Sequence, residues 1–294
     1  MNAYELQHGG VTHRLIVGDC VDGMKQDSAV YDVVVTSPPY NVGTGYRTYN
    51  DSISRLDYLD WCHGWLTCVA SRLADDGSFF LNIGGVPVSP LGPFEIMQVA
   101  RQYFKLQNLI LWVKSIAVPG ANEKSPEVVH GHYQPINSPR FLNACHEFIF
   151  HLTKTGEVPL DRLSIGVPYA DPANIERWGA KQPLHCRGNA WFLPYDTIQE
   201  KDKDRPHPAS FPISLPRTCI KLHGLAKTKH VLDPFCGIGS TALACSELGV
   251  SFTGFEIDPA FVGAARNRIA ATLDRNPSDF QQYDFSEKKS EIVS

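Results

Sequence analysis

The chain has 294 residues, 43% hydrophobic and 20% charged, with a formal net charge of −4, the balance of an ordinary globular enzyme. Its length leaves room for one large α/β domain or one domain with a sizeable insertion. No apolar run approaches the ~18 residues needed to span a bilayer, and MNAYELQHGG has no basic patch followed by an apolar stretch, so neither a membrane span nor a signal peptide is expected.

From the N-terminus, Leu15-Ile16-Val17 reads as a short strand entering a Gly18-Asp19-Cys20 turn, and Tyr31–Val35 as a buried strand. The second strand stops at a stiff Ser37-Pro38-Pro39-Tyr40 turn. Residues 56–74 repeat apolar positions at helical spacing until Asp75-Asp76-Gly77 closes them. Ser78–Ile83 predicts a strand, Phe94–Phe104 a helix, Leu106–Val113 a strand and His146–Leu152 another. Patterning fades from Lys114 to about Ala144. Residues 153–210 are rich in Pro, Gly and Asn, a stretch too long to be an idle loop in a compact domain. Ile213–Leu225 predicts a helix, Lys229–Leu232 a strand, 240–248 a helix, Ser251–Phe255 a strand and 259–273 a helix. The polar tail after Asn276 is expected to be flexible. This alternation predicts an α/β fold with a mostly parallel sheet covered on both faces, whose ligands bind outside the carboxyl ends of the strands.

Charge is uneven. Residues 1–100 carry five Lys/Arg against eleven Asp/Glu, residues 101–230 seventeen against eleven, and residues 231–294 five against nine. A basic middle fits a polyanion-facing surface, and fits a chance imbalance of solvated side chains as well. The eight cysteines include no C-x-x-C pair, which argues against a zinc ribbon and suits reduced thiols in a cytoplasm. His130-Gly131-His132 lacks cysteine or carboxylate partners at metal-ligand spacing.

VLDPFCGIGSTALA (231–244) reads as a strand, a turn with Gly237 and Gly239, and a helix starting near Ser240. Glycines let backbone approach a ligand closely. The spacing is not the G-x-G-x-x-G of a dinucleotide site, and no G-x-x-x-x-G-K-[ST] occurs. The next strand ends in Glu256, where a carboxylate can accept from both hydroxyls of a ribose. The turn has no basic partner for a pyrophosphate, so the expected cofactor is nucleoside-like and free of phosphate. A glycine turn followed by a capping acid would look the same.

DPFCGIGST (233–241) resembles the S-adenosylmethionine (SAM) motif of amino-methyltransferases acting on DNA, and TSPPY (36–40) resembles their catalytic motif. The catalytic motif comes first and the cofactor motif about 195 residues later. That order resembles the β-group of these enzymes, and the TSPPY motif with it resembles their site-specific, cytosine-N4 type. The resemblance implies a circularly permuted Rossmann-like sheet with an inserted target-recognition region. GDCVDGM (18–24) and HPASFPISLPRTCIKL (207–222) also match, so the resemblance covers residues 13–272. It implies that Asp233 faces the methionine ammonium, and that Pro234, Phe235, Cys236, Gly237 and Gly239 line the methionine and sulfonium region. Glu256 would hold the ribose, Ile257 would wall the adenine, Asp19 would accept from the adenine amino group with Cys20 beside it, and Ser210 and Phe211 would close over the methionine end. The implied organisation is a catalytic half (1–114), a target-recognition insertion (115–205) with one sheet strand near 146–152, a SAM-binding half (206–275) and a flexible tail (276–294).

The stiff turn then has a chemical reading. The exocyclic amine of cytosine or adenine is a poor nucleophile because its lone pair is delocalised into the ring. Two acceptors aimed at its N–H bonds draw the nitrogen toward sp³ geometry. Ser37 Oγ can be one, and the Pro38 carbonyl, kept out of any strand ladder by the turn, the other. Tyr40 offers a face on which an extruded base can stack, worth roughly 1–3 kcal/mol, and a base inside a duplex must be flipped to reach it. The leaving group is neutral, so no metal is required. In the family, Ser-Pro-Pro-Tyr accompanies cytosine N4 methylation. Adenine N6 methylation is the alternative, as are a methyltransferase acting on protein or RNA nitrogen and a DNA-binding regulator that keeps the fold without catalysis. Candidate DNA contacts are Arg140, Arg162, Arg177, Lys181 and Arg187, since arginine reads guanine and lysine mostly meets phosphate. The resemblance further implies double-stranded DNA as partner, a cognate restriction endonuclease as a candidate second partner, and a monomer or homodimer. It also implies a cytoplasmic, nucleoid-associated protein of bacterial, archaeal or phage origin.

Overall fold

The computed structural model describes residues 1–120, 127–132, 135–171, 173–177, 179, 182–195 and 210–286. Its elements, in chain order, are β1 (Asn2–His8), β2 (Val11–Val17), α1 (Cys20–Gln26), β3 (Tyr31–Thr36), α2 (Arg55–Arg72), β4 (Leu73–Ile83), α3 (Gly92–Ala100), β5 (Lys105–Val113), β6 (Ser115–Val118), β7 (Val128–Gly131), β8 (His146–Thr153), β9 (Val167–Pro168), α4 (Ala173–Arg177), β10 (Leu184–His185), β11 (Ala190–Phe192), α5 (Ser214–His223), β12 (His230–Asp233), α6 (Ser240–Leu248), β13 (Ser251–Glu256), α7 (Pro259–Thr272) and β14 (Gln281–Asp284). One sheet runs in the order β11-β5-β8-β4-β3-β12-β13-β2-β1-β14, with β8 and β1 antiparallel to their neighbours. No described helix is long and apolar enough to cross a membrane.

The centre of the sheet follows from its residues. Val33, Val34 and Val35 of β3 are all fully buried, as a strand covered on both faces requires. One face packs on α5, α6 and α7 through Leu215, Cys219, Ala242 and Val262. The other packs on α1, α2 and α3 through Met24, Tyr58, Trp65 and Ile96. Helix α2 starts at its Ser54 cap and buries Tyr58, Cys62, Trp65, Leu66 and Val69, the stripe its periodicity predicts.

β3 and β12 pair in parallel, Val33 with Val231 and Val34 with Leu232, although about two hundred residues separate them in the chain. From β12 the chain proceeds through α6 to β13, away from β3, while from β3 it proceeds through α2 to β4 on the other side. Strand order therefore reverses between β3 and β12, and the crevice at their carboxyl ends is where such sheets bind ligands.

The structure departs from the sequence reading in several places. The expected turn at Cys20 opens a helix, α1, capped by Asp19. Residues 276–286 are not a flexible tail: β14 pairs with β1, and Phe285 is buried against Phe255. Residues 287–294 lie outside the described residues. The region 115–205 contributes two strands to the main sheet, since β11 adds in parallel to the edge of β5. Its three residues are too few to carry a pattern, but Trp191 is buried there.

Candidate active site

The β12 turn is built around buried Asp233, which is 1% exposed. Asp233 Oδ1 accepts from Thr36 Oγ1 at 2.6 Å and from the Phe235 amide at 3.1 Å. Oδ2 accepts from Thr241 Oγ1 at 2.6 Å. Asp233 thus fastens the end of β3 to the turn and to the first residues of α6. This placement corrects the expectation that it faces a ligand ammonium, because it lies behind the turn with three protein donors upon it. Gly239 also stands off the cleft wall. At φ 81° it caps α6, and a Cβ there would sit 3.0 Å from the Ala265 Cβ.

In front of this turn lies a solvent-open cleft of about 880 Å³. Its wall includes Asp19, Cys20, Ser210, Phe211, Pro234, Phe235, Cys236, Gly237, Glu256 and Ile257, so ten of the twelve cofactor candidates meet there. Glu256 accepts from the Gly237 amide at 3.0 Å and the Asp258 amide at 2.8 Å. Burial nevertheless outweighs these bonds and pushes its carboxyl up to about 7. Asp19 Oδ1 accepts from the amides of Val21 and Asp22, leaving the carboxylate anchored at the start of α1.

Tyr46, Thr48, Tyr49 and Trp61 also line the cleft and were not anticipated. Trp61 belongs to the α2 stripe that reads as plain core, yet it packs on Phe235 with ring centroids 5.4 Å apart. The other three come from the loop after the Pro-Pro turn. Asp51, 3% exposed, organises that loop by accepting from the amides of Asn41, Val42 and Thr44 at 2.8, 3.2 and 2.9 Å. Asn41, at φ 56°, bonds the Ile53 backbone through both ends of its amide. Arg47 then reaches across to Asp258, the cap of α7, in a two-pronged pair of 2.7 and 3.1 Å. The loop is in this way tied down on both sides of the cleft.

Ser37 and Pro39 line the cleft from the β3 side. Ser37 also opens onto a second, solvent-open cavity with Pro38, Tyr40, Asn82, Trp112, Glu147, Tyr195, Ser210 and Phe211. There the Ser37 Oγ is 2.8 Å from Tyr40 Oη. The Pro39 carbonyl accepts from Tyr58 Oη at 2.6 Å, which pins the turn to α2. No described donor bonds the Pro38 carbonyl, as expected of a chain that has left its ladder.

The residues of the first cleft fit the cofactor implied by the motifs. None of the described lining residues is basic, two are carboxylates, and Tyr49, Trp61 and Phe235 supply aromatic faces. Such a wall suits a cationic nucleoside and offers nothing to a pyrophosphate.

A family model described as DNA methylase matches residues 31–267. The chain belongs to the DNA methylase family. Among relatives, this methylase is 29% identical over 291 residues to the type II methyltransferase M.SmaI of Serratia marcescens, covering 87% of this chain and 90% of that one. Among solved structures it is similar to the PvuII DNA methyltransferase (cytosine-N4-specific), with TM-score 0.61 at 18% identity over 90% of this chain and 92% of that chain. It is also similar to the complex of M1.HpyAVI with SAM, with TM-score 0.53 at 19% identity over 87% of this chain and 98% of that chain. SAM is the cofactor and DNA the substrate of this methylase.

The DNA candidates are dispersed. Arg140, Arg162 and Arg177 are exposed, Arg140 lying over the Phe141 ring. Arg187 is half-buried and donates from Nε to the Ile165 carbonyl at 3.0 Å, so it holds a loop and is not a free reader. Lys181 lies outside the described residues.

The Asp51 hub has a measurable consequence. Asp51→Ala frees three amides and the loop carrying Tyr46, Thr48 and Tyr49, and is expected to weaken SAM binding by about 10–100-fold. Titration calorimetry with SAM reads this directly, and an unchanged affinity would show that the loop does not contribute to the bound state.

Proposed function

We propose that this methylase transfers a methyl group from SAM to the exocyclic N4 of a flipped-out cytosine in duplex DNA, at a specific site, as the modification partner of a restriction endonuclease. The observation that carries this reading is that two cavities meet at Ser37. One has the chemistry of a SAM site, and the other is lined by hydrogen-bonding groups and aromatic rings of a kind suited to a base. Ser-Pro-Pro-Tyr and the likeness to a cytosine-N4-specific enzyme favour cytosine, with adenine N6 the alternative. The chain order, catalytic turn before cofactor turn, supports a circular permutation. Target recognition falls to residues 115–205 outside β8 and β11, with Arg140, Arg162 and Arg177 as contacts.

Bound SAM supplies an electrophilic methyl sulfonium. Ser37 Oγ and the Pro38 carbonyl hold the two N–H bonds of the target amine, and Tyr40 stacks on the base. Glu256 accepts from the ribose hydroxyls, Asp19 from the adenine amine, and Ile257, 43% exposed in the open cleft, covers the adenine. Phe235 and Trp61 shield the reacting carbon from water.

Glu256 makes SAM binding pH-dependent. Its carboxyl titrates at about 7 in the open cleft, and only the ionised form accepts from both hydroxyls. Protonation therefore competes with binding, and the dissociation constant is expected to rise about tenfold per pH unit below pH 7. Glu256→Gln should bind weakly at every pH and flatten the profile. A wild-type affinity constant between pH 8 and 6 would remove Glu256 from the ribose site.

Methyl-labelled SAM offered together with unmethylated duplex DNA, RNA and a protein mixture tests the substrate class. Label in DNA is expected. Label only in RNA or protein would overturn the reading, and SAM binding without transfer to any of them would indicate a regulator.

A further inference from the structure

The second cavity contains a carboxylate to which methyl transfer has so far given no task. Glu147 lies on β8, with its side chain only 14% exposed. Its Oε1 accepts from Lys114 Nζ at 2.9 Å. Its Oε2 accepts from Asn82 Nδ2 at 2.7 Å and from Tyr40 Oη at 3.1 Å. Gly84 makes room for this meeting: a Cβ there would come within 3.1 Å of Glu147 Cγ and 3.2 Å of Tyr40 Cε2.

The direction of each hydrogen bond follows. A carboxylate only accepts, so the single hydroxyl proton of Tyr40 points at Glu147. Tyr40 Oη must then accept from Ser37, 2.8 Å away. Ser37 commits its own proton to Tyr40, which leaves its lone pairs for donors. Asn82 Nδ2 gives one of its two protons to Glu147 and shares the other between Tyr40 Oη at 3.1 Å and Ser37 Oγ at a longer 3.4 Å, so the Ser37 lone pairs would be left largely to the target amine. Without the carboxylate, Tyr40 could donate to Ser37, and Ser37 could present a proton to the amine.

We propose that Glu147 is the positioning residue that sets Ser37 as an acceptor, and that it ends a proton path from Ser37 through Tyr40. The proposal rests on the reading of Ser37 as the partner of the target amine. In the step, the amine nitrogen forms a bond to the methyl carbon as the carbon–sulfur bond breaks, and the electron pair of that bond leaves with sulfur as a neutral thioether. The nitrogen is then left with one proton too many. That proton passes to Ser37 Oγ, the Ser37 proton to Tyr40 Oη, and the Tyr40 proton to Glu147 Oε2. The products are a neutral methylated amine and a carboxylic acid beside Lys114, which returns its proton to solvent between turnovers. Burial and the nearby Glu147 charge hold the Tyr40 phenol well above its ordinary value, so it relays a proton without resting as phenolate.

Single-turnover methyl transfer, with protein in excess over DNA and saturating SAM, tests the proposal. Tyr40→Phe keeps the ring and removes the relay, while Glu147→Gln keeps the shape and adds a donor. Each is expected to slow the chemical step by about 10–100-fold with SAM and DNA affinities unchanged. The double variant should be no slower than the slower single one, because both interrupt one chain. Formate added to Glu147→Ala should restore part of the rate. Single variants at the wild-type rate, or a multiplicative loss in the double variant with no rescue by formate, overturn the proposal. If Glu147→Gln fails to fold with Lys114 left unpaired, the same change combined with Lys114→Met carries the test. Ser37→Ala run alongside separates the two readings: loss at Ser37 with none at Glu147 ends this proposal and keeps the methyl-transfer reading.

Discussion

Ser37→Ala is expected to slow methyl transfer by about 10²–10³-fold, the usual cost of removing one pre-organised group at a developing charge, while SAM binding stays at the wild-type level. The split follows from geometry. Ser37 stands where the two cavities meet, and the cofactor cleft keeps the rest of its wall without the hydroxyl. The Pro38 carbonyl remains as the second acceptor, so a residue of activity should persist. Quench-flow single turnovers paired with calorimetry separate the two quantities. Unchanged turnover would end the acceptor mechanism. A parallel loss of SAM affinity would show that Ser37 shapes the cleft and does not act on the amine.

Mild acid is expected to destabilise the fold steeply. Burial pushes His13, His223 and His230 down to about 4 and His151 down to about 3. Each is neutral in the fold and takes up a proton on unfolding below its unfolded value of about 6.5, so its contribution is complete above that pH and lost as pH falls. Asp233 and Glu256 act in the opposite sense. Burial raises them to about 6 and about 7, so the fold holds protons that the unfolded chain releases. Between pH 6 and 5 the four imidazoles outweigh the two carboxyls by about two protons, or ~3 kcal/mol per pH unit, against a total stability of about 5–15 kcal/mol. Urea denaturation at the two pH values measures this. His13→Met offers a control: neither ring nitrogen of His13 has a described partner, so the substitution removes one titrating group without breaking a bond. A stability that does not fall between pH 6 and 5 would contradict the assignment.

The Ser37–Tyr40 turn and the glycine turn were legible as turns at strand ends that line one cleft, because each is a local device: a strand end, a backbone conformation and one or two side chains fixed by adjacent residues. Glu256 was legible for the same reason, as the last residue of the next strand. Asp233 was found but misplaced, since its neighbours Thr36 and Thr241 come from two other segments and occupy it from behind. The loop at Tyr46, Thr48 and Tyr49 escaped notice because its shape depends on amides converging on Asp51, which no periodicity reports. Glu147 was hidden more deeply. HEFIFHLTK reads as one more strand, and only the antiparallel insertion of β8 between β4 and β5, with Asn82 opposite Ile149, places that carboxylate beside Tyr40. β14 was missed because a four-residue edge strand gains its stability from β1, at the other end of the chain.

The central claim is the product, and nucleoside analysis by mass spectrometry tests it most directly. Protein, SAM and unmethylated genomic DNA are incubated, and the DNA is digested and scanned for methylated nucleosides. N4-methylcytosine is the expected product, formed about 10²–10³-fold more slowly when Ser37→Ala replaces the wild type. N6-methyladenine as the sole product would contradict the assignment of the base.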